Sequence, residues 1–238
     1  MKTDYYSELT DETLKELKNF AYWMNNNFGH YPLVIGGWAI WVYCQKLGSR
    51  DLDVVLTGSE TRNITLKSFF LAHGWKKTTA KQEFVKIIQT RFGEEHISID
   101  VLTKNDVFNI NNLKIRMPVK WAVENSRKHK LNGGFIYIPE PELLLCYKIA
   151  AQLGRTQHLA TATGARVAYL ESKIWKDFYD IVSLIKTVKL NKQKLEKFVK
   201  KSGLKNYLTS FFLELSDKKE ILEEFKINIS ELKTVFNL

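Results

Sequence analysis

Asp51 and Asp53 stand one residue apart in Asp51-Leu52-Asp53-Val54-Val55-Leu56, a run whose alternation and β-branched residues predict a strand. Period-two geometry sets both carboxylates on one face of it. Like charges held that close repel unless a cation lies between them, and a hard divalent ion with oxygen ligands is the usual one. A third acid, Asp100, lies in Ile97-Ser98-Ile99-Asp100-Val101-Leu102, flanked by apolar residues. From a neighbouring strand it would complete an oxygen set for two Mg²⁺ ions, an arrangement able to activate an attacking oxygen and to hold a triphosphate. Upstream, Leu33-Val34-Ile35 runs into Gly36-Gly37 and a helical Trp38-Ala39-Ile40-Trp41 stretch. Glycine permits close backbone approach, and the first amides of a helix attract phosphate. A lone Gly-Gly is more often a tight turn and a lone Asp-x-Asp a solvated strand edge. The order strand, Gly-Gly, helix, turn, Asp-Leu-Asp strand, followed by Asp100, points instead to a phosphate cradle joined to a metal site. Ser49 and Arg50, in the turn before Asp51, are candidate phosphate contacts, although a turn explains the serine equally well.

The elements that must position these residues change character near residue 140. An opening helix is predicted from about 11 to 24, where Leu14, Leu17, Phe20, Ala21 and Met24 repeat at three and four, ended by Asn25 to Asn27. A helix over 64–73 leads to strand candidates at 83–90, 96–102 and 113–119, the first two joined as a hairpin through residues 91–95. A short run at 135–138 follows Asn132-Gly133-Gly134. Pro139-Glu140-Pro141-Glu142 closes the β-rich half, and a proline suits the first turn of the next helix. Beyond it the period is helical: 143–153, 165–186, 191–201, 204–215 and 218–225. This gives an α+β domain over 1–139 and a helical bundle over 140–238.

The 238 residues are 45% apolar, 26% charged and 13% aromatic, with 12 Gly and 4 Pro, which excludes collagen-like and largely disordered chains. Without a repeated period, a solenoid is excluded too. No apolar run reaches the roughly 20 residues of a membrane helix, and the polar start MKTDYYSELTDET lacks the pattern of a secretory signal, so the expected setting is cytoplasmic, with no membrane partner. Cys44 and Cys146 sit in apolar stretches as expected free thiols, and the five histidines show no zinc spacing. The net charge of +10 favours polyanionic partners. Between Lys186 and Lys205 lie eight lysines and one acid, Glu196. That run is either a solvated helix face or a nucleic-acid contact through residues such as Lys194, Lys197, Lys200 and Lys201.

Gly36-Gly37, Asp51-Leu52-Asp53 and the later Asp100 together resemble the signature of the nucleotidyltransferase superfamily of the DNA polymerase β type. Val34 to Ile40 with Arg50-Asp51-Leu52-Asp53 is similar to the aminoglycoside and lincosamide nucleotidyltransferases. Glu142-Leu143-Leu144, Lys148-Ile149-Ala150-Ala151 and Lys176-Asp177-Phe178-Tyr179-Asp180-Ile181 resemble the later motifs of the abortive-infection AbiE-type toxin family, DUF1814, a likeness spanning most of 34–184.

The resemblance implies an α+β fold, a nucleotidyltransferase domain with a mixed or antiparallel sheet flanked by helices, then a helical bundle. It also implies Mg²⁺, two ions, with Asp51, Asp53 and Asp100 as ligands, and an NTP such as ATP as substrate, bound by Gly36, Gly37, Ser49, Arg50 and Lys148. In that reading Lys148 meets the triphosphate, and Asp177 or Asp180 faces the cleft. The family pattern often has an arginine before the late acid where this chain has Lys176, and its third acid varies. The implied reaction is nucleotidyl transfer to an acceptor hydroxyl, with RNA, a tRNA end, as acceptor and a cognate antitoxin as partner. A small hydroxylated antibiotic as acceptor, and a nucleic-acid-binding relative without turnover, are the alternatives. From the residues alone, Lys148 in an apolar helix needs either an anion or a path to water. Asp177 and Asp180 share a helix face and have Lys173 and Lys176 in reach as ordinary ion-pair partners.

Overall fold

The computed structural model describes residues 7–57, 64–79, 83–131 and 134–237. The chain divides into two compact units, one of Lys2–Asp106 with Pro118–Glu140, the other of Val107–Met117 with Pro141–Leu238. This differs from a single cut at 139/140, because an eleven-residue excursion leaves the first unit and returns to it.

The first unit is built on a seven-stranded mixed sheet. Its elements in chain order are α1 (Ser7–Phe28), β1 (Leu33–Ile35), α2 (Gly36–Cys44), β2 (Asp51–Leu56), α3 (Ile64–Ala72), β3 (Lys76–Lys77), β4 (Glu83–Thr90) and β5 (Gly93–Thr103). After the excursion, which carries β6 (Val107–Ile110) and β7 (Ile115–Pro118), come α4 (Val119–Glu124), β8 (Ser126–Leu131) and β9 (Gly134–Pro139). The sheet order is β3-β4-β5-β2-β1-β9-β8. β1 runs antiparallel to β2 and parallel to β9, and β2 runs parallel to β5. One face of the central strands is apolar, with Val34, Leu52, Val54 and Ile99 fully buried on it. Phe20 of α1 stacks on Phe70 of α3 at 5.5 Å, and Phe70 packs against Phe84 of β4 at 4.5 Å, pinning both helices to that end of the sheet. Buried Glu16 is satisfied within this core by Trp75 Nε1–H at 3.1 Å and by Lys86 Nζ at 2.9 Å.

The second unit consists of α5 (Pro141–Leu159), α6 (Ala165–Thr187), α7 (Lys192–Ser202), α8 (Leu208–Ser216), α9 (Lys219–Glu224) and α10 (Ile229–Val235), with the β6–β7 ribbon. Glu142 Oε1 accepts the backbone N–H of Asn191 at 2.6 Å, tying the start of α5 to the start of α7. The apolar stripe Leu195, Phe198 and Val199 of α7 is buried, and Lys197, Lys200 and Lys201 face solvent.

Several boundaries depart from the periodicity for local reasons. α1 continues through Asn25 to Asn27 and stops at Gly29, whose positive φ of 69° makes the usual left-handed cap. The β4–β5 hairpin turns in two residues, Arg91 and Phe92, because Gly93 adopts φ 112° and pairs with Thr90. Residues 204–207 form a 3₁₀ turn before α8. β3, β6, α4, β8 and α10 were not expected. β8 in particular reads Ser-Arg-Lys-His-Lys-Leu, with neither alternation nor β-branching to betray it.

Candidate functional site

The strand register gathers the acids. Asp53 of β2 pairs with Asp100 of β5, and Asp51 pairs with Ser98. Registered partners share a face, and residues two apart on a strand share it too, so Asp51, Asp53 and Asp100 all project from one side of the sheet. Ser98 Oγ donates to Asp51 Oδ1 at 3.1 Å. Glu83, the first residue of β4, pairs with Asp100 and extends the row of acids to three adjacent strands. Its Oε2 accepts Thr78 Oγ–H at 2.8 Å. Glu83 escaped sequence reasoning because only the β4–β5 register brings it beside Asp100.

Gly36 sits opposite this row. Ile35 pairs with Asp53, and the chain then turns into α2 with φ 69° at Gly36. A Cβ at Gly36 would overlap Asp53 Oδ2, so the glycine is required both by backbone conformation and by the carboxylate lying against it. Asp53 thereby stands at the positive end of α2, whose N-cap residue Ile35 offers no side-chain cap of its own. Gly37 follows within that first turn and is buried. Ser49 is buried and its Oγ accepts the N–H of Asp51 at 3.4 Å. Arg50 turns toward β5, donating to His96 O at 3.1 Å, with Glu95 Oε2 3.8 Å away.

Hard oxygen donors on one sheet face, with a glycine clearing space beside the central one, fit a divalent cation in chemistry. Among the described residues no three acids, histidines or cysteines converge into a preassembled metal cluster.

The remaining candidates lie in the helical unit. Lys148 of α5 is buried, 3.1 Å from Asp177 Oδ1 and 2.8 Å from Asp180 Oδ2 on α6. Asp180 Oδ2 lies outside hydrogen-bond geometry, so that contact is a pairing of charges. Arg155 pairs with the second oxygen of Asp177, and Lys176 with Asp180. Burial alone would lower Lys148, yet the carboxylates of Asp180 and Asp177 outweigh it and hold the ammonium above the ordinary lysine range. For Asp177 burial pulls upward, and Lys148 with Arg155 overcomes it, so its carboxyl titrates below the usual value. Lys176 is lowered, since burial prevails over Asp180. Lys148 thus meets anions supplied by the chain itself. Arg155 belongs to α5, which runs past the expected end at 153 to Leu159. The i, i+3 spacing of Asp177 and Asp180 signalled the shared face, and the contribution of Arg155 required the fold. Both cysteines are buried thiols, and Cys146 is pushed up by burial and by nearby Glu142.

No protein-family model matches this chain, and no curated protein matches it in sequence. The crystal structure of an antigenic nucleotidyltransferase-like protein from Paracoccidioides brasiliensis does match it in three dimensions. The likeness covers 90% of this chain and 93% of that one, with a TM-score of 0.57 at 15% identity. The fold is nucleotidyltransferase-like. At that identity the agreement establishes the α+β architecture, a mixed seven-stranded sheet with flanking helices and C-terminal helices, and leaves the chemistry to the residues. No helix among the described residues is long and apolar enough to cross a membrane.

Proposed function

We propose that the chain is a nucleotidyltransferase that moves a nucleotidyl group from an NTP to a hydroxyl of RNA, a tRNA 3′ end being the acceptor that the toxin resemblance favours. The same resemblance makes it the toxin of a toxin–antitoxin or phage-defence system with a cognate antitoxin. The observation that carries the enzymatic reading is the row Asp51, Asp53 and Asp100 on one sheet face, with Gly36 against Asp53 at the start of α2. Two Mg²⁺ ions, held by Asp51 and Asp53 with Asp100 beside them, would supply neutralisation of phosphate charge and acidification of the attacking hydroxyl.

The chain's own contribution is placement. β2 and β5 fix the acids at adjacent register positions, so little ordering remains for the moment of reaction. Gly36 and Gly37 let the backbone approach phosphate at the start of α2, whose N-cap residue Ile35 supplies no side-chain cap. Ser49 braces the backbone at Asp51. In the transfer the acceptor oxygen bonds to the α-phosphorus, the bond from that phosphorus to the pyrophosphate oxygen breaks, and the hydroxyl proton leaves to solvent. An RNA acceptor suits a chain of net charge +10 with exposed Lys197, Lys200 and Lys201, whereas a cationic antibiotic would be repelled.

The test is incubation with each α-labelled NTP, Mg²⁺ and total RNA. Asp51→Asn and Asp53→Asn are each expected to lower labelling at least about a hundredfold, since metal-borne charge stabilisation amounts to several kcal/mol. Thermal stability without metal should stay level or rise as carboxylate repulsion is relieved. Near-wild-type labelling by either variant would overturn the site.

A further inference from the structure

The face that carries the acids continues across the sheet. Ile35 pairs with Asp53, Leu33 with Tyr137 of β9, and Tyr137 with Lys128 of β8, while Lys130 pairs with Phe135. All these side chains share the acids' side. β8 is the edge strand, Lys128 and Lys130 are exposed, and residues 126–139 contain no acid. Lys128 Nζ stands 4.1 Å from the Phe135 ring centroid and 5.1 Å from that of Tyr31. The two rings meet edge to face at 5.5 Å. Beside them opens a hollow of about 360 Å³, its walls including Tyr31, Leu33, Val123 and Tyr137, with the hydroxyl residues Thr57 and Ser126. Counting two strand spacings across and two residues along, Tyr137 lies roughly 12 Å from Asp53.

We propose that this β8–β9 edge and its aromatic hollow bind single-stranded nucleic acid, Lys128 and Lys130 meeting phosphates while an unstacked base enters beside Tyr31 and Tyr137. Exposed cations interleaved with aromatic rings are the combination single strands require, since every base offers a π-face and every linkage a charge. The hollow is of the size that holds a small planar ligand. A duplex keeps its bases inside and would touch only the lysines. An acidic peptide would have no use for the hollow. The other role for lysines on an edge strand is to prevent pairing with a second sheet. The proposal deepens the acceptor reading above and rests on it for the place of this strand in the reaction.

The experiment is fluorescence anisotropy with short labelled oligonucleotides, ribose and deoxyribose versions of one sequence, in EDTA without NTP. Binding is thus read apart from transfer, and loss of the enzymatic reading would leave it standing. Joint replacement Lys128→Gln and Lys130→Gln is expected to flatten the slope of log K against log salt by about 1.4, at about 0.7 per phosphate contact. Tyr137→Leu, and independently Tyr31→Leu, should weaken binding at least about fivefold with the slope unchanged. Two aromatic positions are used so that one poorly folded variant does not decide the matter. Tighter binding of the ribose strand supports an RNA acceptor, and equal binding supports single strands in general. Unchanged affinity and slope in the lysine variant would overturn the proposal, as would self-association of that variant with binding intact. Full competition by an acidic peptide, with the tyrosine variants binding normally, would also overturn it.

Discussion

Gly36→Ala separates backbone strain from the contact that defines the site. At φ 69° a residue bearing a Cβ loses about 1–2 kcal/mol relative to glycine. The new Cβ also overlaps Asp53 Oδ2, and β2 cannot retreat because Asp53 is registered between Ile35 and Asp100. Overpacking of that kind adds about 1–3 kcal/mol. Gly29 supplies the control, since it has the same φ of 69° and a Cβ there would meet nothing within 4 Å. Gly29→Ala should therefore cost only the backbone part, about 1–2 kcal/mol, and Gly36→Ala a total of about 2–5 kcal/mol. In an Asp53→Ala background the excess at Gly36 should vanish, leaving the two glycine substitutions equal. Urea unfolding of the four variants, followed by near-UV signal from the tryptophans, measures this. Equal destabilisation by Gly29→Ala and Gly36→Ala with Asp53 present would refute the close approach of Asp53 to the turn.

Lys148→Ala would leave Asp177 and Asp180 buried with one cation fewer, and breaking such a network typically costs about 3–5 kcal/mol. Thermal melting should show the loss, and unchanged stability would show that the ammonium is not engaged by those acids. Asp177, whose folded-state pKa is lowered, contributes stability present above its ordinary value of 3.8 and lost as pH falls through the folded value. Acid titration of unfolding should accordingly show a component below about pH 3.8 that Asp177→Asn removes. Replacing Lys194, Lys197, Lys200 and Lys201 with Gln should flatten the salt dependence of RNA binding by up to about 2.8 in slope, with melting unchanged because α7 buries its other face. An unaltered slope would make that stretch a solvated helix surface.

The acids were legible in the sequence because strand alternation and Gly-Gly are local signals, and the short β1 and β2 matched their expected bounds. The register that sets Asp100 directly beside Asp53 was not, since it depends on β2 pairing parallel with β5. Glu83 and the basic edge strand β8 were hidden for the same reason, as neither has meaning until register places it. The helical half showed its period plainly, but the fate of Lys148 turned on which α6 residues face α5. Its two carboxylates shared a visible helical spacing. Arg155 could be added only once α5 was seen to run on to Leu159. In the ribbon at 107–118, β7 fell within the strand expected at 113–119, whereas β6 escaped because four residues carry too few positions for a period to emerge.

The central claim is the bond that is made and the bond that is broken. Parallel incubations of the wild-type chain with RNA, Mg²⁺ and the same NTP labelled at either the α- or the γ-phosphate measure it directly. Nucleotidyl transfer predicts α-label on the RNA, γ-label only in released pyrophosphate, and neither on RNA with Asp53→Asn. Appearance of γ-label on the acceptor, or retention of both labels in intact NTP under every acceptor RNA, would contradict it.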